Sequence, residues 1–142
     1  MRRLFLDANV LVSAAHKPDS AQGLLIDFAE RQLIDAVSSS YAFDEALRNL
    51  TRKPPDAVAA RWSRINTLVQ ASAEPDAELL TWAATVVVAK DAPILACAVR
   101  AQVDWLVTGD RRDFGHLYST TQRGVIIVPP AEAIRRLLSE LA

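Results

Sequence analysis

The chain has 142 residues, a hydrophobic fraction of 51% and a formal net charge of −1 at pH 7. That size suits one domain, residues 1–142, which buries roughly 70% of its unfolded-chain surface and needs neither disulfides nor a structural metal to hold its core. Near-neutral charge excludes a global pull toward nucleic acid and leaves any such binding to local basic residues or a bound cation.

Arg3 to Leu6 predicts a short hydrophobic strand with Asp7 at its carboxyl end. Met1-Arg2-Arg3 faintly imitates the start of a signal peptide, but Asp7 and Asn9 interrupt the apolar segment that such a peptide requires. Asp7-Ala8-Asn9 is polar turn chemistry, and Val10 to Ala15 continues as a short helix. After the break at Lys17-Pro18-Asp19-Ser20, Ser20 caps a helix through Leu24, Leu25 and Phe28 to Glu30. Leu33 to Val37 predicts a second strand, interrupted only by Asp35. Ser39 or Ser40 caps a third helix, Tyr41 to Leu50, with Phe43, Leu47 and Leu50 expected on its core face. Arg52-Lys53-Pro54-Pro55 breaks the chain, and Asp56 is expected to cap a helix whose Val58, Trp62, Ile65 and Val69 recur at helical spacing.

Val69 to Ala73 reads as a third strand and Asp76 to Val88 as a helix, although Val86-Val87-Val88 also suits a strand. The longest apolar run, Trp82 to Ala89, is too short to span a bilayer, so no membrane role is expected. Asp91 stands where a helix should begin, with Pro93 in its first turn, where a missing N–H costs nothing. Cys97, within that helix, is the only cysteine; no intrachain disulfide is available, and a reducing cytoplasm is the expected compartment. Asp104 to Thr108 predicts a buried strand stopped by Gly109, with Asp110 just beyond. Gly124 to Val128 is the last buried strand. The final helix is expected to turn Ile134, Leu137, Leu138 and Leu141 inward and Arg135, Arg136 and Glu140 outward. Strands alternating with helices predict an α/β sandwich around a mainly parallel sheet.

Ligands of open parallel sheets bind at the carboxyl ends of the strands. Asp7 and Asp110 follow hydrophobic strands there, Asp91 begins a helix, and Glu45 or its neighbour Asp44 lies on the helix after the second strand. Each has an ordinary alternative: Asp7 and Asp91 fit helix caps, Asp110 fits turn chemistry, and Glu45 fits a solvated helix face. Gathered together, like charges raise one another's pKa unless a cation neutralises them. An all-oxygen set favours Mg²⁺ or Mn²⁺, and no cysteine–histidine cluster suggests zinc. His16 and His116 have no partner set for histidine-based catalysis, and Trp62, Trp82 and Trp105 suit core packing better than base stacking.

Leu4-Phe5-Leu6-Asp7-Ala8-Asn9-Val10-Leu11 resembles the opening strand of the PIN-domain nucleases. Asp44-Glu45-Ala46-Leu47-Arg48-Asn49-Leu50 with Thr51-Arg52-Lys53 is similar to that family's glutamate helix, which makes Glu45 the carried-over acid. Lys90-Asp91-Ala92-Pro93-Ile94-Leu95-Ala96 and Asp104 through Phe114 are the most specific matches, and the resemblance covers essentially the whole chain. It implies a three-layer α/β/α sandwich and an Mg²⁺-dependent endoribonuclease similar to the toxin of a bacterial toxin–antitoxin pair. It further implies RNA as substrate, an antitoxin protein and a second copy of the chain as partners, and Asp7, Glu45, Asp91 and Asp110 as metal-binding catalytic acids. Acids of this kind hold one or two divalent ions at a scissile phosphate, where the ions acidify the attacking water. Asn9, Thr108 and Asp113 are candidates to support the site; for Asp113 a solvated position, and for Asp104 a role in fixing the start of its strand, are the alternatives. Arg111 and Arg112 beside Asp110, and Arg48, Arg52 and Lys53 after the glutamate helix, can meet phosphates; the pair beside Asp110 is favoured.

Two rival classes remain open. A phosphotransfer or phosphatase enzyme of the haloacid-dehalogenase type would want an aspartate where Asn9 stands, and a receiver domain would want paired acids near the first strand and a lysine after a late one. A non-catalytic protein of the same fold, acting through partners, would be betrayed by a missing acid, and none of the four is missing.

Overall fold

Leu4, Phe5 and Leu6 are wholly buried, and the strand they form, β1 (Arg2–Leu6), lies in the middle of the sheet. The computed structural model describes all 142 residues. Six strands run in the order β3-β2-β1-β4-β6-β5. The partners are β2 (Ile34–Ser38), β3 (Gln70–Ala71), β4 (Trp105–Val107), β5 (Thr121–Gln122) and β6 (Val125–Val128). Every pairing is parallel except the antiparallel edge β5–β6. The helices are α1 (Ala8–His16), α2 (Ala21–Glu30), α3 (Ser40–Asn49), α4 (Asp56–Leu68), α5 (Ala77–Val86), α6 (Ala92–Arg100), the single turn α7 (Arg111–Phe114) and α8 (Pro130–Leu141). This is the α/β architecture around a mainly parallel sheet that the alternation of elements predicts, with helices in layers on the sheet. No helix is long and apolar enough to cross a membrane.

The sheet reverses its order at β1. The chain leaves β1 toward β2 and later returns on the other side as β4, so the carboxyl ends of β1 and β4 flank a topological switch point. Leu6 pairs with Val107 in register, which sets Asp7 beside Thr108. Alanines allow the neighbouring helices to come close: α6 buries Ala92, Ala96 and Ala98, and α3 buries Ala42 and Ala46. Helices α1, α2, α4 and α8 pack among themselves, α5 packs on α6, and α3 meets both groups at the carboxyl edge of the sheet.

Several expectations are corrected. The core stripe of α3 is Ala42, Ala46 and the following Leu50, while Leu47 is 59% exposed. The short alanines seat the helix tightly, and that roll turns Leu47 out. On α8, Ala133, Ile134 and Leu137 are buried but Leu138 and Leu141 are exposed. There the roll is set by charge as well as apolar area: Glu140 accepts from the Arg2 guanidinium at 2.8 Å, and the Arg136 guanidinium lies over Trp105. Asp56 is the first residue of α4 and makes no cap bond; Pro55 occupies the cap position. The third strand shrinks to Gln70–Ala71, the strand before Gly109 runs only from Trp105 to Val107, and α1 begins at Ala8. The apolar pattern does not announce α7 or β5, since each is a single turn or a two-residue pairing without periodicity.

Gly23 offers a test of how tightly α2 is seated. A Cβ there would lie 2.2 Å from the Pro18 carbonyl oxygen, a backbone atom that has little room to retreat. Alanine normally favours a helix interior over glycine, yet Gly23→Ala should destabilise the protein by about 1–3 kcal/mol through overpacking. A lowered urea midpoint with unchanged slope checks this.

Candidate metal centre

The carboxyl ends of β1 and β4 are joined by a buried hydrogen-bond knot. Asp7 caps α1: its Oδ1 accepts from the Ala8 N–H at 2.7 Å. Its Oδ2 accepts from the Thr108 hydroxyl at 2.9 Å and from the Asn9 side-chain amide at 3.2 Å. The Thr108 hydroxyl in turn accepts from the Asp110 N–H at 3.1 Å, and Asn9 Oδ1 accepts from the Gly109 N–H at 2.7 Å. Thr108 and Asn9 are thus the residues that fix Asp7 to the Gly109–Asp110 turn. Tyr118 closes the knot from below by donating its hydroxyl to the Thr108 carbonyl at 2.8 Å.

Around this knot Asp7, Glu45, Asp91 and Asp110 line one cavity of about 290 Å³, together with Asn9, Asn49 and Lys90. All four expected acids are therefore brought together. Beside the lining, Asp113 joins two of these acids: Asp91, Asp110 and Asp113 each place a carboxylate oxygen within 4.8 Å of the other two. Asp113 is not solvated; its side chain is only 10% exposed. It is carried inward by the α7 turn, in which Asp110 Oδ1 accepts from the Asp113 N–H at 3.1 Å. Arg111 and Arg112, on the outer side of that turn, are exposed and outside the cavity lining. Asp104 lies at the opposite end of the sheet, where its Oδ2 accepts from the Arg3 N–H at 2.8 Å and fixes the start of the strand.

Asp91 does not act as a helix cap. It closes a 3-10 turn, Ala89–Asp91, with αR backbone angles, and its side chain makes no cap bond to α6. The residue is 8% exposed, and Oδ2 is buried with no hydrogen-bond donor in reach. A buried anionic oxygen without a donor is costly. Desolvation pushes the Asp91 carboxyl up to about 7, with its closeness to Asp113 and the charge of Asp7 adding to the rise. Asp113, held by the Lys90 ammonium and by Asp91, is displaced downward. Desolvation likewise raises Asp7 to about 6, against the bonds from Thr108 and Ala8, which favour its charged form.

An all-oxygen donor set, an orphaned buried carboxylate oxygen and three converging acids fit a hard divalent cation. Asp91, Asp110 and Asp113 are the closest set, with Asp7 and Glu45 on the same cavity.

Against this geometry, the chain matches the PIN domain over residues 3–112. It belongs to the PIN-domain family. No curated protein matches the chain. PIN domains are generally nucleases that bind divalent metals, and the acid cluster here agrees with that type of fold.

Tyr41, Asn49 and Lys90, at or beside the site, escaped the sequence reading. Tyr41, Glu45 and Asn49 fall at i, i+4 and i+8 on α3, so a polar stripe ran along the helix unremarked. The Tyr41 hydroxyl donates to the Lys90 carbonyl at 2.7 Å, tying the glutamate helix to the turn that presents Asp91. Lys90, beside Asp91, lines the same cavity.

The raised carboxyls give a pH signature. Asp7 and Asp91 bind protons more tightly in the folded state than in the unfolded chain, whose carboxyls titrate near 4. Their contribution is present below about pH 4 and is lost as pH rises through about 6 and 7, so metal-free stability falls across that window. Asp91→Asn removes its share of the loss. In chelator, the variant should match wild type near pH 4 and exceed it by a few kcal/mol at most by pH 8, in thermal or denaturant unfolding.

Proposed function

We propose that this PIN domain is a Mg²⁺- or Mn²⁺-dependent endoribonuclease that hydrolyses RNA phosphodiester bonds as the toxin of a toxin–antitoxin pair. The observation that carries the metal dependence is the buried, donorless Oδ2 of Asp91, close to oxygens of Asp110 and Asp113. Asp91, Asp110, Asp7 and Glu45 would hold the cation. A divalent ion bound there supplies positive charge for the scissile phosphate and acidifies the attacking water.

The protein's own groups do the rest. Thr108 and Asn9 keep Asp7 oriented and their donors satisfy the oxygen that faces the switch point. Glu45, half-buried at the mouth of the cavity, stands where it can orient a water or accept its proton. Arg111 and Arg112 have no carboxylate partner, and α7 holds them exposed beside the acids, where an RNA backbone can pair with them. Arg48, Arg52 and Lys53, also exposed, extend that reach beyond α3.

The partner reading comprises an antitoxin that covers the cavity and a second copy of the chain. It is supported by large apolar side chains left in solvent: Leu47 on the glutamate helix and Val88 just before the Asp91 turn, with Met1, Leu33, Leu138 and Leu141 elsewhere. The single thiol, Cys97, is buried and unpaired, which suits a reducing cytoplasm.

Cleavage of labelled RNA should stop in excess chelator and return with Mg²⁺ or Mn²⁺; undiminished cleavage in chelator would sink the metal-dependent reading. The double change Arg111→Ala and Arg112→Ala should weaken RNA binding and flatten its salt dependence while leaving metal affinity nearly intact. An unchanged salt slope would reduce this pair to surface charge.

A further inference from the structure

Lys90 is the one cationic side chain on the cavity that holds Asp7, Glu45, Asp91 and Asp110. Its backbone is fixed on two sides. Its carbonyl accepts from the Tyr41 hydroxyl at 2.7 Å, and the following N–H, of Asp91, donates to the Val88 carbonyl at 2.9 Å. Its side chain is free by comparison: 69% exposed, with Nζ 3.1 Å from Asp113 Oδ2. A rigid base and a solvated tip describe a cation that can change partners without moving the fold. Only the lysine end of this pair is exposed; the Asp113 oxygen is buried without another donor, so the ammonium leaves at low cost only where a cation takes over that carboxylate.

The charge of the site requires such a group. Five carboxylates converge on this edge of the sheet, and one divalent ion leaves them net negative. A phosphodiester brings a further negative charge into that field. Arg111 and Arg112 lie outside the cavity lining and can meet only flanking phosphates. Lys90 is the one cation on the cavity itself.

We propose that Lys90 is a substrate-binding residue: its ammonium rests on Asp113 in the free protein and moves to a phosphate oxygen of the bound strand. This rests on the reading of the site as a metal-dependent ribonuclease. When the ammonium leaves, Asp113 loses its counter-ion and turns its full charge toward Asp91 and Asp110. Substrate binding and cation binding then reinforce each other through the same carboxylate.

Wild type, Lys90→Gln and Lys90→Arg are compared in three measurements. The first is anisotropy of a labelled single-stranded RNA in Ca²⁺ over a KCl series, the second is calorimetric Mg²⁺ affinity without RNA, and the third is RNA cleavage in Mg²⁺. Thermal unfolding confirms that each variant folds, as expected for an exposed side chain. Lys90→Gln should make the slope of log affinity against log salt shallower by about 0.7, the loss of one contact on a single strand, and Lys90→Arg should restore most of it. Lys90→Gln should tighten Mg²⁺ binding in the absence of RNA whether or not Lys90 meets substrate, because it frees Asp113; if the RNA salt slope is unchanged, Lys90 is only a counter-ion for the acids and the proposal is overturned. If wild type neither binds nor cleaves RNA, the ribonuclease reading falls and takes Lys90's role with it. Cleavage by wild type with an unchanged slope in Lys90→Gln overturns the lysine alone.

Discussion

The hydrogen bond from the Thr108 hydroxyl to Asp7 Oδ2 is the constraint on which the rest of the site depends. It joins the carboxyl ends of two neighbouring parallel strands at the point where the sheet order reverses. A wholly buried threonine hydroxyl has few ways to satisfy itself, and this one serves Asp7, Asn9 and the Asp110 N–H together. The Gly109–Asp110 turn inherits its position from that bond, α7 inherits its start from the turn, and Asp113 enters the cluster because α7 begins there. An aspartate that looks like a simple helix cap is thereby also the anchor of two other acids, Asp110 and Asp113.

The arrangement is unfavourable by itself. Asp7 and Asp91 are held where burial raises their pKa to about 6 and 7, and Asp91 keeps an oxygen without a donor. The surrounding framework offsets this with a continuous apolar core that includes Trp105, Phe5 and Phe114. Salt bridges contribute little to it. Arg2, Arg3 and Arg64 pair with carboxylates at the surface, where such pairs are worth about 0–1 kcal/mol each. Stability is thus concentrated in the sheet and its packed helices, and strain is concentrated at the carboxyl edge where the chemistry would occur.

What could be read from residues alone follows the same division. Leu4-Phe5-Leu6 and Trp105-Leu106-Val107 announce buried strands because both faces of a parallel sheet are covered, and the aspartates after them are legible as edge residues. Glu45 was not legible from pattern, because its helix carries two competing stripes. The larger side chains Phe43 and Leu47 suggest the core face; Phe43 does pack against the core, but Ala42 and Ala46 hold its centre and Leu47 is left exposed. Only the family resemblance singled Glu45 out from Asp44. Asp113 was undervalued because its inward position depends on a one-turn helix that has no periodicity to detect. Lys90 and Tyr41 were invisible for another reason: their roles lie in a contact between elements far apart in the chain, Tyr41 hydroxyl to Lys90 carbonyl.

The Thr108–Asp7 bond spans 101 positions of the chain, and that separation orders events at the ribosome. Asp7 and Glu45 are synthesised early, with β1 and β2 able to pair behind them. The partner of Asp7 arrives only with β4, after the long excursion through α4, α5 and α6. Non-local parallel pairing of this kind forms late. A nascent chain therefore carries Asp7 for most of its synthesis without the Thr108 hydroxyl that holds its carboxylate.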